Sequence, residues 1–124
     1  MSFKSIEEID KSRMYEVYER WPIIAKNSWE EKIDEIDIEN IDHIVFTGMG
    51  GSGTISDVMK GIFSKENIHV NITKGYVLPK TVDADTLIVV TSVSGNTDET
   101  LSILKQANES DAKIVAFSAG GKIE

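Results

Sequence analysis

From about residue 40 onward, short β-branched runs alternate with amphipathic segments, and each change-over is marked by glycine or by a Ser/Thr/Asn cluster. This alternation constrains the fold more than any other feature of the chain. His43-Ile44-Val45-Phe46-Thr47 ends at Gly48 and reads as a buried strand. After the glycines come Ile55, Val58, Met59, Ile62 and Phe63, at the i, i+3, i+4, i+7, i+8 spacing of a helix with one apolar face. Ile68–Thr73, Thr86–Thr91 and Lys113–Phe117 are three further strands. Thr97 to about Asn108 is a helix expected to turn Leu101, Leu104 and Ala107 inward. Strands alternating with helices imply right-handed parallel crossovers, hence an α/β fold: a doubly wound, Rossmann-like parallel sheet of about four strands with helices on both faces.

Residues 1–40 have a different pattern. Met14, Val17, Tyr18 and Trp21 fall on one helical stripe, which is expected to end by Arg20 or Trp21 because Pro22 belongs in a first turn and not in an interior. Ser28-Trp29-Glu30-Glu31 reads as a capping box opening another helix, with Ile33 and Ile36 continuing its apolar face. The expected organisation is therefore an amino-terminal extension of two or three helices, 1–40, followed by an α/β domain, 41–124. The stripe is read as core or as a dimer contact.

Composition removes several classes of function. The chain of 124 residues has no cysteine, which excludes disulfide scaffolding, Cys-ligated zinc, iron–sulfur clusters and thiol catalysis and fits a reducing cytoplasm. Thirteen basic residues against 21 acidic ones give a net charge of −8, which argues against a surface that tracks nucleic acid. Twelve of the acidic and six of the basic residues precede His43, so the α/β part is nearly neutral and can tolerate an anionic ligand held by local donors. No apolar run approaches the roughly 20 residues of a membrane helix, and the acidic start MSFKSIEEID does not resemble a secretory signal.

Two loops carry chemistry. Gly48-Met49-Gly50-Gly51-Ser52-Gly53 joins the first strand to its helix, where free amides and the positive end of the helix dipole make an anion cradle. Its spacing also satisfies G-x-G-x-x-G, so a dinucleotide such as NADP is an alternative ligand. The acidic residue that would hold a ribose hydroxyl is missing, however: the second strand ends Asn71-Ile72-Thr73-Lys74-Gly75, and Lys74 is left to meet a 2′-phosphate. The other loop, Ser92-Val93-Ser94-Gly95-Asn96-Thr97, brings three hydroxyls to a second helix start, with Asp98 and Glu99 in the first turn. Carboxyl ends of adjacent parallel strands share one edge, so the two loops converge. A ring of hydroxyls and amides suits a terminal phosphate monoester. At roughly 1.5–3 kcal/mol per charge-assisted hydrogen bond, three or four suffice for a dissociation constant near a millimolar, about −4 kcal/mol. No arginine is needed, and the only two are Arg13 and Arg20.

Phe46 to Gly53 (FTGMGGSG), Tyr76 to Lys80 (YVLPK), Thr86 to Thr100 (TLIVVTSVSGNTDET) and Phe117 to Lys122 (FSAGGK), in this order, resemble the SIS (sugar isomerase) domain. The similarity is to the amino-terminal half of bifunctional phosphoglucose/phosphomannose isomerases and extends to the Trp21-Pro22 element. The resemblance implies that Gly50, Gly51 and Ser52, together with Ser92, Ser94 and Thr97, hold the phosphate of a hexose 6-phosphate. It implies no cofactor and no metal. Val93 stands where the family often has tyrosine, a departure that bears on loop packing. The family's glutamate base, ring-opening histidine and assisting arginine come from later sequence and from a second SIS domain, and the domain's last strand and helix follow the fourth strand. This chain is accordingly expected to bind without isomerising. Its expected partners are another copy or a chain carrying the second SIS domain, and an uncovered sheet face is expected to favour self-association. A stand-alone phosphosugar-sensing or assembly module is the alternative of a different class.

Other residues read more plainly. Glu99 complements the helix dipole rather than acting as a base. His43 and His69 are surface or edge histidines. Lys122, beside a glycine pair, is a solvated lysine.

Overall fold

The computed structural model describes Ile6, residues 9–33 and residues 35–123; the first five residues, Glu7, Glu8, Asp34 and Glu124 lie outside the described residues. The chain divides into two compact units, Met1–Ile36 and Asp37–Glu124.

In the first unit, helix α1 runs unbroken over Met14–Glu30 with Pro22 inside it, not as two helices meeting at the proline. Proline removes one rung of the ladder, whereas a break would leave several carbonyls and amides of both new ends unpaired. The same continuity corrects the expected capping box. Ser28 lies in the last turn, and Glu31 leaves the helix at ψ 130°, its amide donating to the Asn27 carbonyl. Ile33 and Ile36 are non-helical and exposed. At the other end Arg13 adopts a left-handed φ of 55°, and Asp10 receives the Tyr15 amide at 3.0 Å and the Ser12 hydroxyl at 2.9 Å. The Tyr18 and Trp21 rings of the stripe lie 4.9 Å apart, but the stripe is not core, since no residue of α1 is buried.

The second unit is a four-stranded parallel sheet of β1 (His43–Thr47), β2 (His69–Thr73), β3 (Thr86–Ser92) and β4 (Lys113–Ser118), in the order β2-β1-β3-β4. Helix α2 (Gly50–Phe63) follows β1, helix α3 (Asp98–Asn108) joins β3 to β4, and a short 3₁₀ turn covers Gly121–Ile123. Successive residues of a strand point to opposite faces, and β1 uses both. Val45 joins Ile88, Val90 and Ala107 of α3 in the main core, while the Phe46 ring packs 6.1 Å from Phe63 of α2. Helices thus lie on both faces, but beside α2 the sheet is incompletely covered: Phe117 of β4 is 58% exposed at an apolar groove lined by Phe46, Met59 and Val89. The strands match the expected runs to within one residue.

The helix faces match their expected composition only in part, Leu104 and Ala107 of α3 facing the core as expected. In α3 the buried residues are Thr100, Ile103 and Ala107, with Leu104 partly buried against the core. Leu101 is left at the margin, because the small Thr100 and Ala107 let the helix axis approach β3 closely. In α2 the buried residues are Gly53 and Ser56, for the same reason, and Ile55, Val58 and Ile62 are each more than half exposed. The Tyr76–Lys80 segment is tied to α3 through Gln106, which accepts from the Leu78 amide at 3.0 Å and donates to the Tyr76 carbonyl at 2.6 Å. Leu78 is thereby set on the core.

His43 is buried (5% exposed) in a central strand, not at the surface. Thr86 spends its hydroxyl proton on Asp83 Oδ1 at 2.8 Å, so it can only accept from His43 Nδ1, 3.2 Å away. This leaves Nε2 unprotonated to accept from Asn71 Nδ2 at 3.3 Å. A neutral ring suits the site, and burial, followed by the neighbouring His69, pulls its pKa below the ordinary histidine value. The unfolded chain takes up a proton near pH 6.5 that the folded chain resists, so stability falls as pH drops below that point. Melting temperatures between pH 7.5 and 5.5 should decline, and His43→Gln should flatten that part of the slope; an unchanged slope would show that His43 is not its source.

Candidate functional site

Parallel pairing of Thr47 with Val90 places the carboxyl ends of β1 and β3 side by side, and the two loops leave the sheet in contact. Gly48 is the point of closest approach. A Cβ there would lie 2.9 Å from the Thr91 carbonyl oxygen and 3.0 Å from the Ser52 backbone, so any side chain would force the loops apart. Gly53 performs the same service one turn into α2, where a Cβ would meet the Gly48 carbonyl oxygen at 2.8 Å.

Between the loops lies an open cleft of about 450 Å³. Gly51 and Ser52 line it from the first loop, and Ser92, Ser94 and Thr97 from the second. Gly50, the remaining residue expected here, does not line the cleft. It sits at φ 54°, with open space around it, and turns the chain into α2. Sequence reasoning missed the apolar wall of Met49, Ile55 and Val93. Ile55 belongs to the apolar stripe of α2, yet it follows Ser52 by three residues and so shares its side of the helix; that spacing is the available signal. Val93 is 72% exposed at the rim.

Donor bookkeeping shows what this cleft offers. Both helices begin without a side-chain cap: Met49, at the N-cap of α2, has no oxygen to give, and Thr97, at the N-cap of α3, makes no such bond. Its Oγ1 lies instead 3.3 Å from Ser92 Oγ. One proton of this hydroxyl pair is spent between them, and the other remains for a ligand. Ser94 Oγ accepts the Asn96 amide at 3.3 Å, which likewise leaves its own proton free to donate outward. The first amides of each helix lack intrahelical acceptors, and the ladder starts with Gly53 donating to Met49 and Leu101 to Thr97. Two dipole ends, unengaged amides and the spare hydroxyl protons of Ser52, Ser94 and the Ser92–Thr97 pair suit a compact anion.

The remaining candidates stand elsewhere. Lys74, which a dinucleotide reading assigns to a 2′-phosphate, is ion-paired with Asp57 at 2.6 Å. Glu99 faces Tyr76, whose phenol it pushes above its ordinary pKa. His43 and His69 lie at the amino edge of the sheet, roughly 13 Å along the strand from the glycine loop. Lys122 is exposed, although its backbone amide donates to Gly95. Among the described residues no group of three or more His, Asp or Glu could hold a metal ion, and no helix is long and apolar enough to cross a membrane.

The SIS domain model matches residues 37–122, which takes in the sheet and both loops. The chain belongs to the SIS domain family. It is 42% identical over 87 residues to the bifunctional phosphoglucose/phosphomannose isomerase of Caldicellulosiruptor bescii, a match covering 69% of this chain and 26% of that one. It is 34% identical over 114 residues to a D-glucosamine-6-phosphate 4-epimerase of Sulfolobus acidocaldarius, covering 90% of this chain and 35% of the relative. Among solved structures, a candidate phosphosugar isomerase from Bacillus subtilis superposes with a TM-score of 0.61 at 26% identity, over 67% of this chain and 27% of that one. This SIS chain thus spans about a quarter to a third of the length of these relatives. The matches to the isomerases fall mostly on their amino-terminal portion.

Proposed function

We propose that this chain is a phosphosugar-binding SIS domain that seats the phosphate of a hexose 6-phosphate in the cleft between the Gly48–Gly53 and Ser92–Thr97 loops. One observation carries this reading: two uncapped helix starts open on one cleft, beside hydroxyls whose protons are only half spent. Gly51, Ser52, Ser92, Ser94 and Thr97 are its ligands, and Gly50 shapes the turn that presents them. The sugar lies toward Met49, Ile55 and Val93, whose apolar surface suits the C–H face of a pyranose or open-chain hexose. Relatives whose names include phosphoglucose/phosphomannose isomerase support the substrate class. The segment 41–124 is the binding domain, and residues 1–40, which include helix α1, precede it.

In an aldose–ketose isomerisation a base carries a proton between C1 and C2. Glu99 does not line the cleft, and both histidines lie at the far edge of the sheet. The base is therefore assigned to sequence outside these 124 residues, on this or a second chain. General acid–base groups contribute about 10²–10⁴-fold each, so the chain by itself should bind and not turn over.

Calorimetric titration with glucose 6-phosphate should give a dissociation constant of about a millimolar, with no heat from glucose. The double substitution Ser92→Ala with Ser94→Ala should weaken binding at least about tenfold, with about 1.4 kcal/mol lost per decade, and leave the melting temperature nearly unchanged. A coupled assay of the same sample should detect no fructose 6-phosphate. Equal binding by the double variant would refute the assignment of the cleft, and measurable turnover would refute the placement of the base outside the chain.

A further inference from the structure

The Ser118–Lys122 segment lies outside the cleft but interlocks with the loop that lines it. The Ala119 amide donates to the Val93 carbonyl at 3.2 Å and the Lys122 amide to the Gly95 carbonyl at 3.0 Å. Between these two bonds the chains touch backbone to backbone. A Cβ on Gly95 would fall 1.7 Å from the Gly120 carbonyl oxygen, and one on Gly121 would fall 2.4 Å from the Ser94 carbonyl oxygen and 2.8 Å from Asn96 Nδ2. Gly95 and Gly121 also adopt left-handed φ values of 62° and 88°, which strain any L side chain. The turn is held in shape from within: Ser118 Oγ donates to the Gly120 carbonyl at 2.6 Å and accepts the Gly120 amide at 3.2 Å.

This contact reaches the ligand donors through Ser94 and Asn96. Asn96 Nδ2 holds the Ser94 carbonyl at 2.8 Å and its amide holds Ser94 Oγ at 3.3 Å, so the carbonyl and hydroxyl of Ser94 are both oriented by a residue whose Nδ2 lies 2.8 Å from where a Cβ on Gly121 would stand. Ser94 is itself exposed and has no packing of its own to fix its rotamer. We propose that the Ser118–Gly121 turn is a brace that holds the Ser94–Asn96 turn in its binding orientation, which makes Gly121 and Ser118 positioning residues for the phosphate site although neither donates to the ligand. Prepaying this order lowers the cost of binding, because a loop already immobilised loses little further freedom. The inference rests on the phosphate-binding reading above, and its test separates the two.

Gly121→Ala should weaken glucose 6-phosphate binding about tenfold and shift the backbone amide resonances of Gly95 and Asn96 in the ligand-free chain, while those of Leu104 and Ile103 stay in place. Ser118→Ala, a milder change suited to the case in which Gly121→Ala does not fold, should weaken binding about threefold. Ser118→Thr, which keeps the hydroxyl, should restore it. Wild-type affinity in both Gly121→Ala and Ser118→Ala, or unmoved Gly95 and Asn96 resonances, would overturn the brace. Absence of glucose 6-phosphate binding by the wild-type chain would instead overturn the phosphate reading, and the amide shifts alone would then decide whether the turns are coupled.

Discussion

Truncation of Ile88 to alanine is expected to lower the free energy of unfolding by about 2–5 kcal/mol, the cost of removing a buried branched side chain and leaving a cavity. Ile88 is completely buried at the middle of β3, paired with Val45 on one side and Ile114 on the other, under Ala107 of α3. Neighbours on two strands and a helix limit how far the site can collapse, which favours the upper part of that range. Domains of this size have about 5–15 kcal/mol in total, so the variant should show a much lower urea midpoint at an unchanged slope. A loss below about 1 kcal/mol would mean that the main core is not organised around β3.

The second large effect is expected at Gly48, through function more than through stability. Gly48→Val places a branched side chain where even a methyl group meets two backbone segments at 2.9 and 3.0 Å. Neither obstacle is a flexible side-chain end, so the loops themselves must separate. Overpacking of this kind costs typically about 1–3 kcal/mol, which a folded chain can survive. The cleft cannot survive it unchanged, since its two walls are the segments pushed apart. Titration with glucose 6-phosphate should show at least about a thirtyfold loss, about 2 kcal/mol, in a variant whose far-ultraviolet circular dichroism remains native. Full affinity in Gly48→Val would show that the two loops do not act as one site.

Much of this fold is legible in the sequence because parallel strands buried on both faces must be continuous apolar runs. Thr86–Thr91 and Lys113–Phe117 announce themselves in that way, and β1 matches its predicted bounds of His43 and Thr47. Both loops are legible for a related reason, since glycines and hydroxyls gathered at strand ends have few other uses. Helix faces are less legible. Leu101 and Ile55 have the hydropathy of core residues, but the sheet is met by Thr100, Ser56 and Gly53, chosen for small size and not for apolarity. Pro22 misleads in the opposite sense: the local rule ends a helix there, and the cost of two new helix ends keeps it whole. The interlock of Gly95 with Gly120 and Gly121 is a contact between segments separated by all of α3 and β4, which no local pattern encodes.

The order of the strands also determines how the chain reaches this structure. β1 is synthesised first yet lies in the middle, and both of its partners are parallel to it. It pairs with β2 across the α2 crossover, and with β3 only after the chain has returned from β2 past β1 to its other side. No hairpin is available to nucleate the sheet. Folding should therefore be slow for a domain of this length, as expected for high contact order. The step that joins β1 to β3 completes the centre of the sheet and simultaneously brings together the two loops that line the cleft. A phosphate ester that bridges those loops would then bind only after this step, and so would slow unfolding far more than it hastens folding.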